Sequence, residues 1–232
     1  MQIRRAAHRG HADHGWLKTW HTFSFASYHD PQWVQHGGLR VLNDDLIAPH
    51  SGFPTHPHHE MEIITYPVAG ELTHSDSMGH SQKIRPGEVQ VMSAGTGLTH
   101  GEFNRGDATA RIIQSWVIPN ERGLRPRYSQ KQFDPAGRVN RLRPLVSGDG
   151  REGTLVIGAD ALLSESLLEP GHSLDVKLGS GRLGWLQIVN GMLTANGEAL
   201  AAGDGLALSA GETLELAAHE ADAQLLFFEL AA

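Results

Sequence analysis

Residues 87–95 read GEVQVMSAG, and residues 203–211 read GDGLALSAG, which repeats the same pattern 116 positions later. An earlier pair, VAGELT at residues 68–73 and VNGMLT at residues 189–194, repeats at an offset of 121. Two matches in the same order, at nearly one offset, indicate two structural units of similar build. The alternative interpretation is that a glycine followed by an acidic residue is simply common turn chemistry.

Short apolar runs between turn residues predict strands throughout the chain. The sequence contains 27 glycines and 11 prolines, and few segments show a sustained period of 3.6 residues, so helices should be short and peripheral. We therefore predict an all-β protein built as barrels or sandwiches. The expected strands cover residues 38–48, 61–68, 71–74, 89–93, 111–119, 185–189, 192–195, 205–209, 213–217 and 223–230.

A polar, turn-rich region separates the two predicted units. It contains DPAGR from residue 134 and SGDG from residue 147, as is typical of a connection between domains. We predict an N-terminal domain at residues 1–134, a linker region at 135–150 and a C-terminal domain at 151–232. Residues 151–232 carry 3 basic and 12 acidic residues (net −9), whereas residues 1–150 carry 16 and 14 (net +2).

The composition argues against several classes of protein. Cysteine is absent, which excludes disulfides, thiolate metal sites and cysteine nucleophiles. The net charge of −7 argues against direct binding to nucleic acid. No apolar run approaches the roughly 20 residues that cross a bilayer, and the basic N-terminal segment is not followed by the apolar core of a signal peptide. We therefore expect no membrane partner and a cytoplasmic location.

Paired metal-binding residues recur at strand spacing in the N-terminal half, which holds 13 of the 15 histidines at or before His100. His56 and His58 are two residues apart, and His100 and Glu102 have the same spacing. Side chains alternate between the two faces of a strand, so each pair should point the same way. Two neighbouring barrel strands would then surround one ion with three imidazoles and one carboxylate.

These donors favour a divalent transition metal with open coordination positions. Imidazole nitrogen and carboxylate oxygen suit Fe²⁺, Mn²⁺, Ni²⁺, Cu²⁺ or Zn²⁺, whereas a closed structural zinc site more often uses cysteine. Pro57, between the two histidines, cannot donate to a sheet and predicts an edge position or a strand start. The alternative is that these are ordinary solvated histidines.

Three other groups have simpler interpretations. The histidines between residues 8 and 21 are irregularly spaced, so we interpret them as solvated or packed side chains and not as a second metal site. The aromatic residues between 16 and 25 are interpreted as a packing stripe. The polar segment at residues 43–45 (NDD) is interpreted as turn or inter-strand contacts.

Longer motifs make the chain resemble the pirin family. These are HPHHEME (56–62), HSDSMG (74–79), PGEVQVM (86–92), SAGTGLTHGE (93–102), the HGW and HTFSF segments between residues 14 and 25, and RYSQ (127–130). The resemblance is close over about residues 4–134 and extends to the remainder only in layout. Pirins are two-domain members of the cupin superfamily, so it implies two cupin-type double-stranded β-barrels in tandem, a bicupin.

The resemblance also implies the ligands of a single metal ion, most commonly iron. The matching positions are His56, His58, His100 and Glu102. Most cupins take the carboxylate ligand from their first motif, which would nominate Glu62, whereas pirins take it from the second. Strand parity allows both; the resemblance to pirins implies Glu102 at the metal, which leaves Glu62 as a partner that orients a histidine. His59 departs from the pattern, because many pirins carry arginine there.

His74 and Asp76 alternate on a predicted strand that leads into a turn at Met78 and Gly79. One interpretation is that they support the metal ligands from behind. The other is that they stabilise the turn.

The repeat predicts that the C-terminal domain lacks a metal site. At its offsets, the four ligand positions fall on Lys177, Gly179, Leu216 and Ala218. None of these replaces the lost donors, so the second barrel is expected to be structural or to form a wall of the site.

The resemblance implies metal-dependent dioxygenase chemistry. Bacterial pirin-like proteins are associated with quercetin 2,3-dioxygenase (quercetinase) activity, in which O₂ opens the central ring of a flavonol and carbon monoxide is released. The partners would then be a small aromatic substrate and O₂, with Glu102 as the base that takes the substrate's hydroxyl proton. The alternative is a redox-responsive binding module that regulates a protein partner and uses the same four ligands.

Overall fold

The computed structural model describes all 232 residues as strands, three short 3₁₀ turns and connecting loops, with no α-helix. The strands that precede residue 134 are β1 (Gln2–Arg4), β2 (Gly10–Asp13), β3 (Leu17–His21), β4 (Leu39–Ile47), β5 (Ser51–His58), β6 (Glu62–Ala69), β7 (Leu72–Asp76), β8 (Ser81–Ile84), β9 (Glu88–Ser93), β10 (Leu98–Asn104), β11 (Ala110–Val117) and β12 (Arg127–Gln132). The strands that follow are β13 (Arg143–Ser147), β14 (Leu155–Val156), β15 (Ala161–Leu168), β16 (Ser173–Lys177), β17 (Arg182–Asn190), β18 (Met192–Ala195), β19 (Glu198–Ala201), β20 (Gly205–Leu208), β21 (Thr213–Ala217) and β22 (Ala223–Ala231). The 3₁₀ turns are Ala6–His8, Pro135–Arg138 and Arg151–Gly153.

Each half of the chain forms a barrel from one seven-stranded and one four-stranded sheet. In the N-terminal half the orders are β12-β9-β6-β11-β4-β3-β2 and β5-β10-β7-β8. In the C-terminal half they are β1-β20-β17-β22-β15-β13-β14 and β16-β21-β18-β19. All pairings are antiparallel except the one between β13 and β14, so the predicted all-β fold of two tandem cupin barrels is confirmed.

The sequence repeat corresponds to equivalent strands. The first repeated segment ends β6 and begins β7, and its copy ends β17 and begins β18. The turn glycines, Gly70 and Gly191, have positive φ angles of 71° and 76°. The second segment contains β9, and its copy contains β20; these strands flank β6 and β17 in their sheets.

The division at residues 134 and 150 stays a prediction, and two strands depart from it. β1 lies at the start of the chain but pairs with β20, so Gln2–Arg4 extends the C-terminal sheet. β13 falls within the range predicted as a linker and pairs with β15. The N-terminal segment is held there by Asp204, which accepts hydrogen bonds from the Ala6 amide and the Arg5 guanidinium.

The two seven-stranded sheets pack against each other through one apolar core. A cluster of 24 buried residues draws on both halves. Trp185 lies at its centre, with its ring 4.9 Å from that of Phe23 and 5.8 Å from that of Trp33. Each of these sheets therefore has one face toward the other domain and one toward its own barrel interior.

The two barrel interiors have opposite chemical character. The C-terminal interior is a cluster of 16 buried apolar residues that includes Leu186, Leu206 and Leu216. The N-terminal interior instead buries polar side chains, among them Thr65, Gln90 and His100. No helix of the chain is both long enough and apolar enough to span a membrane.

Candidate metal centre

Two paired strands bring the predicted ligands together. β5 and β10 are antiparallel, with His56 opposite His100 and His58 opposite Leu98. Along β10 the odd residues Thr99, Gly101 and Phe103 are more exposed than the even ones, so His100 and Glu102 both point inward. β5 is the edge strand of its sheet, as the proline between the two histidines predicts.

The three histidines form a compact cluster. Their ring centroids are 4.8 Å apart for His56 and His58, 4.5 Å for His56 and His100, and 4.9 Å for His58 and His100. One nitrogen from each lies within 4.8 Å of the others. His100 is 1% exposed, whereas His56 and His58 are half-buried, so the cluster is reached from the β5 side.

Hydrogen bonds leave the ring nitrogens suited to holding a metal. The Nε2 atom of His100 is buried and has no hydrogen-bond partner. His56 Nδ1 lies 2.8 Å from the Pro54 carbonyl, so it donates there and leaves its Nε2 lone pair free. Three imidazoles with free lone pairs fit one divalent transition metal ion.

His58 and His100 are neutral at neutral pH. Burial, reinforced by the neighbouring histidines, lowers the pKa of His58 to about 4 and that of His100 to about 3. A neutral imidazole is the form that binds metal, so the folded chain does not have to expel protons from these two rings first.

Glu102 lies on the other side of His100 and is held by two donors. It forms a second group of three possible ligands with His74 and His100, within 4.8 Å. Its carboxylate accepts hydrogen bonds from Gln114 Nε2 at 2.8 Å and from Thr65 Oγ1 at 3.4 Å. Burial raises the pKa of Glu102 despite these bonds. A carboxylate has about four lone-pair sites, so both oxygens keep a further lone pair.

His74 and Asp76 stand behind His100. The Nδ1 atom of His74 lies 3.4 Å from Nδ1 of His100, and its Nε2 lies 2.9 Å from an Asp76 carboxylate oxygen. Asp76 also accepts from the backbone amides of Met78 and His80. The same carboxylate thus contacts the histidine behind the cluster and stabilises the turn, which combines the two interpretations drawn from the sequence.

Glu62 lies on the opposite face of its sheet, and the prediction that it orients a metal-binding histidine is wrong. Its carboxylate accepts a 2.5 Å hydrogen bond from Ser93 and lies beside Gly158 of the C-terminal domain. Glu62 does not share a face with His56 and His58 because the chain bends after β5: Glu60 has a φ of 50°, and a new strand begins at residue 62. Alternation holds only within an uninterrupted strand.

A cavity of about 490 Å³ opens next to the histidine cluster. Four aromatic side chains line it, namely Trp16, Phe25, Phe53 and Trp116. Trp116 packs edge-on against His58, with ring centroids 4.8 Å apart. The volume falls within the range of roughly 300–1,000 Å³ that is usual for small-molecule sites.

Gln114 and Thr65, which hold Glu102, were not predicted from the sequence. Gln114 accepts a hydrogen bond from the Trp116 indole at 3.3 Å and donates to Glu102, and Thr65 lies opposite Gln114 in the sheet. A signal was present, because Gln114 lies in a strand that also contains Ile112, Ile113, Trp116 and Val117, and a glutamine among such residues needs a hydrogen-bond partner. In the second barrel, Leu216 and Ala218 occupy the equivalent of the His100 strand and belong to the apolar interior.

Both halves of the chain match known protein families. Residues 2–117 match the family model described as Pirin, and residues 144–230 match the one described as Quercetinase C-terminal cupin domain. Quercetin 2,3-dioxygenase of Escherichia coli (strain K12) is 41% identical over 233 residues, covering 99% of this chain and 98% of that protein. Pirin-like protein of Caulobacter vibrioides is 42% identical, with 96% of each chain covered.

Solved structures agree. The crystal structure of the bacterial pirin YhhW from Escherichia coli in complex with nickel(II) matches with a TM-score of 0.93 and 39% identity, covering 99% of this chain and 98% of that one. The match of residues 2–117 to the Pirin family model and the similarity to full-length relatives both indicate the same family. The chain belongs to the pirin family.

Proposed function

We propose that this protein is a pirin-type, metal-dependent dioxygenase that opens the central ring of a flavonol such as quercetin. One observation carries the proposal: the imidazoles of His56, His58 and His100 are clustered beside an aromatic-lined cavity, and His56 and His58 form part of its wall. The relative from Escherichia coli that shares 41% of its sequence is named quercetin 2,3-dioxygenase. In the reaction, both atoms of O₂ enter the product and one ring carbon leaves as carbon monoxide.

The ligands of the proposed metal are His56, His58, His100 and Glu102. Glu102 has its carboxylate against His100 and His74, so it can complete the set once an ion draws it toward the histidines. We propose Fe²⁺ as the ion, while the nickel complex of the related YhhW supports Ni²⁺ as a substitute. When bound, the ion supplies Lewis acidity that favours ionisation of the flavonol's 3-hydroxyl.

Glu102 is the proposed base. Its burial raises its pKa, which increases its affinity for the proton of a substrate hydroxyl. Gln114 and Thr65 hold its two oxygens, so the carboxylate keeps one orientation while it accepts that proton. Gln114 is in turn oriented by the Trp116 indole, which ties the base to the cavity wall.

The cavity wall is suited to a flat aromatic substrate. Trp16 and Phe53 pack edge to face at 5.1 Å, and Phe25 and Trp116 do so at 5.4 Å. Aromatic rings hold a planar ligand through stacking and edge contacts and exclude water from it. Such a wall accommodates the fused rings of a flavonol better than an aliphatic chain.

Purified protein tests the proposal directly. Metal content is measured on protein prepared without added metal, and flavonol absorbance and carbon monoxide are then followed with quercetin in air. We expect metal-dependent loss of the flavonol, reduced at least 100-fold in His56→Ala. His59→Ala is the matched control, because His59 is the exposed neighbour outside the cluster and its removal should change the rate less than twofold.

Metal-loaded protein that consumes no flavonol would contradict the enzyme proposal. That result would instead favour the redox-responsive binding module, which needs the same metal but no turnover.

A further inference from the structure

Four polar side chains form a square on two neighbouring strands inside the N-terminal barrel. Thr19 lies opposite Asp45, and His21 lies opposite Asn43, in the pairing of β3 with β4. Each is between 4% and 5% exposed, and all four line the cavity beside the histidine cluster. We call this square the polar wall. The segment NDD was expected to make turn or inter-strand contacts, and its middle residue, Asp44, accepts two inter-strand hydrogen bonds from Arg111.

The polar wall has hydrogen-bonding capacity that the protein does not use. Thr19 Oγ1, His21 Nδ1, Asn43 Oδ1 and Asp45 Oδ1 are all buried without a hydrogen-bond partner. Buried polar atoms are nearly always paired, because an unpaired group has lost its hydrogen bonds to water without replacing them. Four such atoms on adjacent positions of one cavity wall therefore indicate a ligand-binding surface.

The polar wall is continuous with the proposed metal centre. Asn43 lies between His21 on β3 and Gln114 on β11, because β4 is paired with both strands. Gln114 in turn donates to Glu102. A ligand with one oxygen at the metal can therefore extend along the cavity and place further groups against the wall.

The chemistry of the wall selects the groups that it binds. Asp45 and Asn43 present oxygen acceptors, Thr19 both donates and accepts, and burial lowers the pKa of His21 to about 4, which leaves its ring neutral. A hydroxyl group can donate to the oxygens and accept from Thr19 or His21. A carboxylate has no proton to donate to the Asn43 and Asp45 oxygens, and burying its charge against this wall would be costly.

We propose that the polar wall binds hydroxyl groups on the part of the substrate that does not reach the metal. The substrate class is thus a neutral aromatic molecule with hydroxyls on its outer rings, in addition to the oxygen that faces the metal. This inference rests on the proposed function for the orientation of the ligand, but it concerns binding selectivity and does not depend on turnover.

Equilibrium binding of two flavonols tests the inference. Quercetin has hydroxyls on its outer rings, whereas 3-hydroxyflavone keeps only the oxygens that would face the metal. Binding to the metal-loaded protein is followed by quenching of tryptophan fluorescence, since Trp16 and Trp116 line the cavity. The wild-type protein should bind quercetin at least tenfold more tightly, because a site built for hydroxyls rejects an analogue that lacks them.

Two substitutions in the polar wall and one control test whether this wall causes the difference in affinity between the two flavonols. Thr19→Val, which keeps the shape of the side chain, and Asp45→Ala should each weaken quercetin binding about tenfold and change 3-hydroxyflavone binding less than twofold. Phe53→Leu, on the aromatic side of the same cavity, should weaken both ligands equally.

Equal affinity of the wild-type protein for the two flavonols, or no binding of quercetin, would overturn the inference. So would loss of both ligands to the same extent in both polar-wall variants. Failure of the proposed function has a different signature: quercetin is bound selectively but not consumed.

Discussion

The Nδ1 atoms of His74 and His100 lie 3.4 Å apart, and this contact bears on which ring nitrogen of His100 carries the proton. His74 Nε2 donates to Asp76, because the carboxylate can only accept when ionised. In the tautomer of His74 that carries its single proton on Nε2, Nδ1 is an acceptor, and His100 Nδ1 then carries the proton and donates. That tautomer leaves the lone pair of His100 on Nε2, the buried atom without a partner.

Removing His74 should therefore weaken metal binding without removing a predicted ligand. We expect His74→Ala to lower the affinity for Ni²⁺ or Fe²⁺ about 10–100-fold, the usual effect of losing a residue that orients a metal-binding histidine. Calorimetric titration of metal-free protein measures the change. His80→Ala is the control, because His80 contacts the same Asp76 from the surface side and not His100. Equal effects of the two substitutions would refute the assigned tautomer.

Asp45 should make stability depend on pH. Burial raises its pKa from 3.8 in the unfolded chain to about 7 in the folded one; the nearby Thr19 hydroxyl opposes this rise, and Asp44 and Glu102 add smaller contributions to it. The folded state thus keeps a proton that the unfolded state releases. Stability falls as pH rises from about 4 to about 7 and shows no further loss from this group above that.

Asp45→Asn removes the ionisation and should gain stability over the wild type between pH 4 and pH 8. We expect a relative gain of roughly 2–4 kcal/mol, since one pKa unit corresponds to about 1.4 kcal/mol. Urea unfolding of metal-free protein at both pH values measures it. The exposed Asp175→Asn should show no such pH-dependent difference, and a parallel pH profile for wild type and Asp45→Asn would contradict the assignment.

Tyr66 joins the two domains through its hydroxyl. It donates to Glu165 at 2.6 Å and accepts from Gln224 at 2.8 Å and from Arg138 at 3.2 Å. Tyr66→Phe leaves these buried partners incompletely bonded, so the free energy of unfolding should fall by roughly 1–3 kcal/mol in urea denaturation.

The exposed ion pair of Arg182 and Asp160, 2.7 Å apart, provides the comparison for Tyr66. Arg182→Ala should cost at most about 1 kcal/mol, because solvent screens such pairs. A loss from Tyr66→Phe no larger than this would show that the buried network does not stabilise the domain contact.

Gly191, in the second copy of the repeat, should tolerate no side chain. Its φ is 76°, and a Cβ atom there would collide with the Asp222 carbonyl. We expect Gly191→Ala to lower the free energy of unfolding by about 3 kcal/mol or more. Gly197 has a similar φ of 82° but open space around it, so Gly197→Ala should cost only about 1–2 kcal/mol. Equal losses in thermal or urea unfolding would mean that backbone strain alone decides both positions.

The sequence predicted the strand framework closely, because strands and turns depend on local chemistry. Candidate strands such as 213–217 match β21 to the residue, and the repeat identified equivalent strands of two barrels. The expected strands omit β2 and β16, which lie at sheet edges, and also β15, which lies between β22 and β13. β1 was also missed as part of the C-terminal sheet, since nothing in three residues specifies a partner some 200 positions away.

The sequence by itself determined which residues share a face within one continuous strand. His56 and His58 on β5, and His100 and Glu102 on β10, follow from the two-residue period of extended backbone. Only the tertiary structure decided where a side chain points after the chain bends, and which side chains from distant strands surround it. The turn at Glu60 sent Glu62 to the domain interface, and the pairing of β3 with β4 turned Asp45 into the cavity. Alternation is a local property of the backbone, whereas the neighbours of a side chain depend on which strands the whole chain brings together.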